Sequence, residues 1–66
     1  MNNVLNSIDI LINKKDIEEV DKGLRQFKGA YYIKRVGKGE DYGEVFFCAI
    51  SSEELAKVEN FLADFV

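Results

Sequence analysis

The side chains best suited to chemistry in this chain are carboxylates near the starts of two predicted helices. They are Asp16, Glu18, Glu19, Asp21, Glu53 and Glu54. Negative charge in the first turn of a helix is stabilised by the helix dipole, which is a sufficient structural role. Successive helix positions point apart, and no spacing selects a pair for general acid–base work or for a metal. We therefore expect these acids to be structural.

A second candidate is the loop Gly37-Lys38-Gly39, whose backbone amides and lysine could hold a phosphate. Phosphate loops of this kind lead from a strand into a helix. Here the residues that follow predict a strand instead, so we expect an ordinary hairpin loop.

The chain has no histidine and a single cysteine, Cys48. Zinc sites and catalytic bases draw heavily on these two residue types. Cys48 lies in an apolar run, so we expect a small core side chain and not a reactive thiol. We expect no metal or other cofactor, and we predict that the protein is not an enzyme.

The fold must be arranged around residues 45–50, VFFCAI, an uninterrupted apolar run of six. Such a run is too short for an independent helix and is rich in residues that favour strands. Because it does not alternate, we expect both faces of this strand to be covered.

Two further strands are predicted, over residues 4–12 and 30–36. Asn13 and Ser51 are the expected N-caps of the two helices. Asn13 would accept a hydrogen bond from the amide three residues on, and Glu54 would complete a capping box with Ser51. These signals give the order β-α-β-β-α.

The two helices repeat one pattern. A shift of 38 residues places the apolar stripe of the first helix, Ile17, Val20, Leu24 and Phe27, on that of the second, Leu55, Val58, Leu62 and Phe65. Gly29 is the expected end of the first helix. Within the repeat, Gly23 corresponds to Phe61. We predict side-by-side helices in which the Phe61 ring lies over the bare backbone of Gly23.

The predicted fold is a single α+β domain over residues 1–66, with a three-stranded antiparallel sheet of order 1-3-2 and both helices on one face. It resembles a ferredoxin-like domain that lacks the last strand. The first strand is then a free edge. The sheet face away from the helices is also uncovered.

The apolar residues divide between the two faces of this sheet. We expect Ile8, Ile10, Ile12, Phe46, Cys48 and Ile50 to face the helices. We expect Leu5, Leu11, Val45, Phe47 and Ala49 to face outward, with Tyr31 or Tyr32 beside them. An exposed apolar patch of this kind is normally a contact surface.

The element order is similar to that of the RNA recognition motif, which stacks bases on aromatic side chains of the sheet. The segment 40–47, EDYGEVFF, resembles the signature octamer of that family at Tyr42, Gly43, Val45 and Phe47. Glu40 stands where the family has a basic residue, and Glu44 replaces a stacking aromatic. Since carboxylates repel phosphates, we expect no binding of nucleic acid.

Charge is unevenly distributed along the chain, whose net charge is −3. Residues 1–38 carry eight bases and five acids, whereas residues 39–66 carry one base and seven acids. Ends of opposite sign can steer a partner or a second copy. No segment has the length of a membrane span or the pattern of a signal peptide, so we expect a cytoplasmic protein.

In size and character this Met-initiated chain, which we expect to be complete, resembles the small inhibitors that bacteriophages and other mobile elements make against host enzymes or defence systems. That resemblance implies a non-enzymatic interaction protein that inhibits a host protein in the host cytoplasm. We expect a homodimer, formed by pairing of the first strands or by burial of the uncovered sheet face. The predicted partner or dimer contacts are Leu11, Tyr32, Val45 and Phe47 as an apolar centre, with Glu40, Asp41 and Glu44 as a charged rim.

An alternative is a small-ligand protein. Ferredoxin-like units of the ACT type dimerise through their sheets and bind amino acids or nucleotides at the dimer seam. The corresponding contacts here would be Tyr31, Tyr32, Arg35 and Lys38.

Overall fold

The computed structural model describes residues 6–66 as three strands and two helices. The elements are β1 (Ser7–Asn13), α1 (Ile17–Leu24), β2 (Ala30–Val36), β3 (Tyr42–Cys48) and α2 (Ser52–Leu62). Single 3₁₀ turns precede α1 and follow α2. The strands are antiparallel in the order β1-β3-β2, which confirms the predicted fold class.

The register of β3 against its two neighbours builds the core. Phe47 pairs with Ile8 on β1 and with Tyr31 on β2. Between this sheet face and the helices lies one cluster of buried apolar residues: Ile12, Val20, Leu24, Val45, Phe47, Ala49, Val58 and Leu62. Both helix stripes contribute to it as predicted.

The predicted orientation of β3 is wrong. Val45 and Phe47 are 0% exposed and Ala49 is buried, so they belong to the core and not to the uncovered face. Phe46 is half-buried on the opposite side, and Ile50 is 63% exposed. The physical reason is the strand alternation that begins before the apolar run, because Glu44 cannot be buried under the helices and Phe46 shares its face.

The prediction for β1 is correct. Ile12 is buried, Ile8 and Ile10 pack against the core, and Leu11 points to the other side and is exposed. Leu5 lies outside the described residues.

Ser51 caps α2 as predicted, whereas Asn13 caps the 3₁₀ turn before α1 and not α1 itself. Ser51 Oγ accepts from the Glu54 amide at 3.1 Å, while Glu54 Oε1 accepts from the Ile50 amide at 2.9 Å. Asn13 Oδ1 accepts from the amide of Lys15, one residue earlier than predicted, because the helix starts with a tighter 3₁₀ turn.

The first helix ends at Leu24 and not at Gly29. The amides of Gln26 and Phe27 donate to carbonyls three residues back, which tightens and terminates the last turn. Gly29 is needed for a different reason, since a Cβ there would overlap the Cys48 carbonyl oxygen and lie 2.7 Å from Phe47 Cε1.

Candidate protein-binding face

The sheet face that points away from the helices is called the open face. It is formed by alternate residues of the three strands. Its main members are Asp9, Leu11 and Asn13 on β1, Tyr32, Lys34 and Val36 on β2, and Tyr42, Glu44, Phe46 and Cys48 on β3.

Large apolar side chains are exposed on the open face. Leu11, Tyr32 and Tyr42 are 55%, 51% and 49% exposed. The rings of Tyr32 and Phe46 are stacked, with centroids 5.4 Å apart and planes inclined by 22°. This pair forms a flat aromatic surface at the centre of the sheet.

Two carboxylates lie within this apolar surface. The register places Asp9 in one row with Phe46 and Tyr32, and Glu44 in the adjacent row with Leu11. The hydrogen bond that the protonated Glu44 carboxyl donates to the Asp9 carboxylate, and then the negative charge of Asp9, raise the pKa of Glu44. The arrangement concentrates negative charge where a cationic group of a partner would be stabilised.

Lys34 lies on the other side of Glu44, in the same row of the sheet. Its positive charge acts in the opposite direction to Asp9 and lowers the pKa of Glu44, but it is the weaker influence. The net effect on the pKa of Glu44 is therefore upward.

The structure brings together part of the predicted contact set. Leu11, Tyr32 and Glu44 share the open face, and of the two tyrosines left open by the sequence it is Tyr32 that points outward. Val45 and Phe47 do not join them, because both are core residues.

Glu40 and Asp41 lie at one end of the sheet, in the turn between β2 and β3. The Glu40 carbonyl accepts from Arg35 Nε at 3.3 Å, and Asp41 Oδ1 is 3.6 Å from Lys14 Nζ. They form a polar border next to Tyr42. Glu44, the third residue of the predicted rim, lies instead on the central strand, between Leu11 and Lys34.

The sequence reasoning missed the contribution of Phe46, Asp9, Lys34 and Tyr42 to the open face. The signal that could have found them is the alternation of Glu44 and Lys34 along their strands. Charged side chains in the middle of a one-sided sheet must point to solvent, and residues two positions away share their face.

Cys48 was expected to lie under the helices, but its place in the alternation of β3 puts it on the open face. Its thiol is free and half-buried. In the glycine loop, Gly37 and Gly39 have positive φ angles of 92° and 80°. The Glu40 amide donates to the Gly37 carbonyl at 2.9 Å, so one amide of the loop is already used in a turn.

A groove lies between α1 and the outer edge of β2, which pairs with no other strand among residues 6–66. This groove has a volume of about 720 Å³ and is lined by Lys14, Ile17, Glu18, Asp21, Tyr31, Tyr32, Ile33 and Arg35. It collects three of the four residues predicted for a small ligand. The fourth, Lys38, lies in the β2–β3 turn and does not line it.

Tyr31 is held on the helix side of the sheet. Its hydroxyl donates to Asp21 Oδ1 at 2.6 Å, and its ring stacks on Phe47 with centroids 6.2 Å apart. Burial, followed by the hydrogen bond to Asp21, raises the pKa of Tyr31.

Among residues 6–66, no three His, Cys, Asp or Glu side chains converge in a way that could hold a metal ion. Glu54 instead binds backbone amides, as described above.

Comparison with known proteins adds no identification. No protein-family model, curated protein or solved structure matches this chain.

Across residues 6–66, no helix has the length and apolar character needed to cross a bilayer.

Proposed function

We propose that this protein is a non-enzymatic binding module that inhibits a host protein by covering part of its surface with the open face. The observation that supports this proposal best is that Leu11, Tyr32 and Tyr42, each about half exposed, share one sheet face with Phe46, whose ring stacks on Tyr32. Aromatic side chains in such a setting are the residues that dominate protein interfaces.

The chemistry of the partner follows from the charges on the open face. The Asp9–Glu44 pair concentrates negative charge beside Phe46 and Leu11. Removing two carboxylates from water is unfavourable unless a positive group compensates them. We therefore expect the partner to present an arginine or lysine surrounded by apolar side chains.

The same charges disfavour nucleic acid as the partner. Tyr32, Tyr42 and Phe46 could stack bases, but Glu44 lies between Phe46 and Tyr42, and Asp9 lies beside Phe46 on β1. Both carboxylates would repel the phosphates. The inhibitory role and the cytoplasmic location follow from the resemblance in size and character to phage inhibitors.

Affinity capture from host lysate with matched variants tests the proposal. Wild type is compared with a Leu11→Ser/Tyr32→Ser double variant, and with Ile50→Ser as a control that removes an equally exposed apolar side chain elsewhere. A captured protein that depends on the open face should be lost with the double variant, by roughly 30-fold or more in affinity, and kept with the control. Equal capture by all three would contradict the proposal.

The groove beside β2 supports a second candidate function, the binding of a small anionic ligand. Lys14 and Arg35 supply positive charge at one end, and Tyr31 and Tyr32 supply ring surfaces. Native mass spectrometry of the protein purified from its host would detect a retained nucleotide or amino acid. Arg35→Ala should abolish that mass increment, and its persistence would exclude the groove as the binding site.

A further inference from the structure

The groove beside β2 has opposite charges at its two ends. The hydrogen bond between Tyr31 and Asp21 fixes one end, where Asp21 is also paired with Arg25 at 2.7 Å. Glu18, which lies one turn earlier on α1 and also lines the groove, adds a second carboxylate. Because β2 and α1 pass each other in opposite directions, Arg35 and Lys14 lie at the other end.

The centre of the groove is apolar and is formed by Ile17 of α1 and Ile33 of β2. Both side chains are only half-buried and pack at the margin of the core. The order along the groove is therefore basic, apolar and acidic.

We propose that two copies of the chain associate through the edges of β2, about a two-fold axis that passes near Ile33 and runs perpendicular to the sheet. A two-fold axis reverses the direction of the groove in the second copy. The basic end of each copy then meets the acidic end of the other, so Arg35 lies opposite Tyr31 and Asp21 of its partner. The isoleucines of the two copies meet at the centre.

The edge of β2 is suited to this pairing. All seven residues of β2 pair in continuous register with β3, without a bulge, and the chain contains no proline. The side of β2 that faces away from β3 therefore presents a regular row of backbone donors and acceptors, which is a template for another strand. When β2 of a second copy is added antiparallel, the backbone amides and carbonyls on the outer edges of both strands can form hydrogen bonds with each other.

The dimer is a six-stranded sheet with all four helices on one side. The two open faces become one continuous surface on the other side and remain free for a partner. This seam differs from both modes expected from the sequence, pairing of β1 edges and burial of the open face. It goes beyond the proposed function and does not depend on it, because it is measured on the protein alone.

Charge reversal tests the seam by sedimentation velocity. Arg35→Glu and Asp21→Lys each place like charges opposite one another twice in the homodimer, so each variant alone should dimerise at least about 10-fold more weakly than wild type. An equimolar mixture of the two restores both opposite-charge contacts and should dimerise like wild type. Lys57→Glu on α2 makes the same charge change away from the groove and should leave dimerisation unchanged.

Asp21 also binds Tyr31 and Arg25, so thermal unfolding of the Asp21→Lys variant is measured first. If its Tm falls, Glu18→Lys replaces it, because Glu18 is exposed and lines the groove one turn of α1 before Asp21. Monomeric wild type at submillimolar concentration would overturn the proposal. So would a mixture that stays monomeric, or dimerisation that is insensitive to Arg35→Glu.

Discussion

Gly23 of α1 lies directly beneath the ring of Phe61 of α2, so close that a Cβ at position 23 would be 2.6 Å from Phe61 Cε1 and 2.7 Å from Cε2. The ring cannot easily move aside, because it packs between Phe27 and Phe65, with centroid distances of 6.4 and 5.4 Å. This contact sets the separation of the two helices and confirms the packing predicted from the internal repeat.

Adding a side chain at Gly23 should therefore destabilise the fold. Glycine to alanine within an exposed helix normally stabilises by about 1 kcal/mol. Here we expect Gly23→Ala to lower the free energy of unfolding, and Gly23→Leu to lower it by roughly 1–3 kcal/mol, because overpacking forces the helices apart. Urea unfolding followed by circular dichroism measures both.

The control for this prediction is the same substitution in a Phe61→Ala background. Without the ring above it, Gly23→Ala should become stabilising by about 1 kcal/mol. A Gly23→Ala effect of the same sign in both backgrounds would show that the helices are not held by this contact.

The adjacent residues Phe46 and Phe47 should respond very differently to truncation. Phe47 is fully buried, so Phe47→Ala should cost about 3–5 kcal/mol. A domain of this size has a stability of the same order, so the variant should be largely unfolded at 25 °C. Phe46→Ala removes a half-buried ring on the open face and should cost only about 1–2 kcal/mol. Far-UV circular dichroism with thermal melts distinguishes the two, and the reverse order would contradict the orientation of β3.

The different positions of Phe46 and Phe47 mark the limit of what the sequence predicts about this fold. Some features of the fold leave clear signals in the sequence. Capping residues and apolar periodicity predict the order of the elements, and the internal repeat predicts the Gly23–Phe61 contact. The orientation of residues 45–50 leaves none within the run, because six consecutive apolar residues fit either face equally well. The residue that decides it is Glu44, just before the run, which must point away from the helices and fixes the alternation that follows.

The same limit applies to the candidate site. Leu11 was predictable because Ile8, Ile10 and Ile12 define the other face of β1. The sequence reasoning left the choice between Tyr31 and Tyr32 open. Val45 and Phe47 were placed in the site wrongly, and Phe46 was omitted, since all three depend on the orientation of β3. Asp9 acquires its role only through proximity to Glu44, which lies on another strand.

Glu54 joins the start of α2 to the connection between α1 and β2. Its carboxylate accepts from the amides of Ile50 at 2.9 Å, Lys28 at 2.7 Å and Gly29 at 3.3 Å. The hydrogen bond from Ile50, followed by those from Lys28 and Gly29, lowers the pKa of Glu54, although partial burial opposes it. An amide side chain has a single acceptor oxygen for these three donors.

Glu54→Gln should lower Tm at neutral pH, whereas Glu53→Gln, an exposed neighbour in the same turn, should change it little. Because the pKa of Glu54 is lowered by folding, its contribution is present above its ordinary pKa of 4.5 and is lost as pH falls through the lowered value. The Tm difference between wild type and Glu54→Gln should therefore shrink in acid. A difference that does not change with pH would contradict the role assigned to the carboxylate.

Glu44 should behave in the opposite way. Folding raises its pKa, so the folded state binds the proton more tightly, and the pair with Asp9 destabilises the fold as pH rises through the raised value. Glu44→Gln should raise Tm at neutral pH, with a gain that disappears in acid. Glu59→Gln makes the same change in net charge on exposed α2 and should not reproduce the gain. An equal gain from both variants would attribute the effect to net charge alone.

Site-specific photo-crosslinking in host cells tests the central claim most directly. Benzoylphenylalanine is placed at Tyr32 on the open face or at Ile50, which is also exposed but lies off that face. Both positions are surface sites, so each variant should fold, as its Tm will show. We predict that position 32 crosslinks one host protein reproducibly and that position 50 does not. Crosslinking of the same protein from position 50 with none from position 32 would contradict the account.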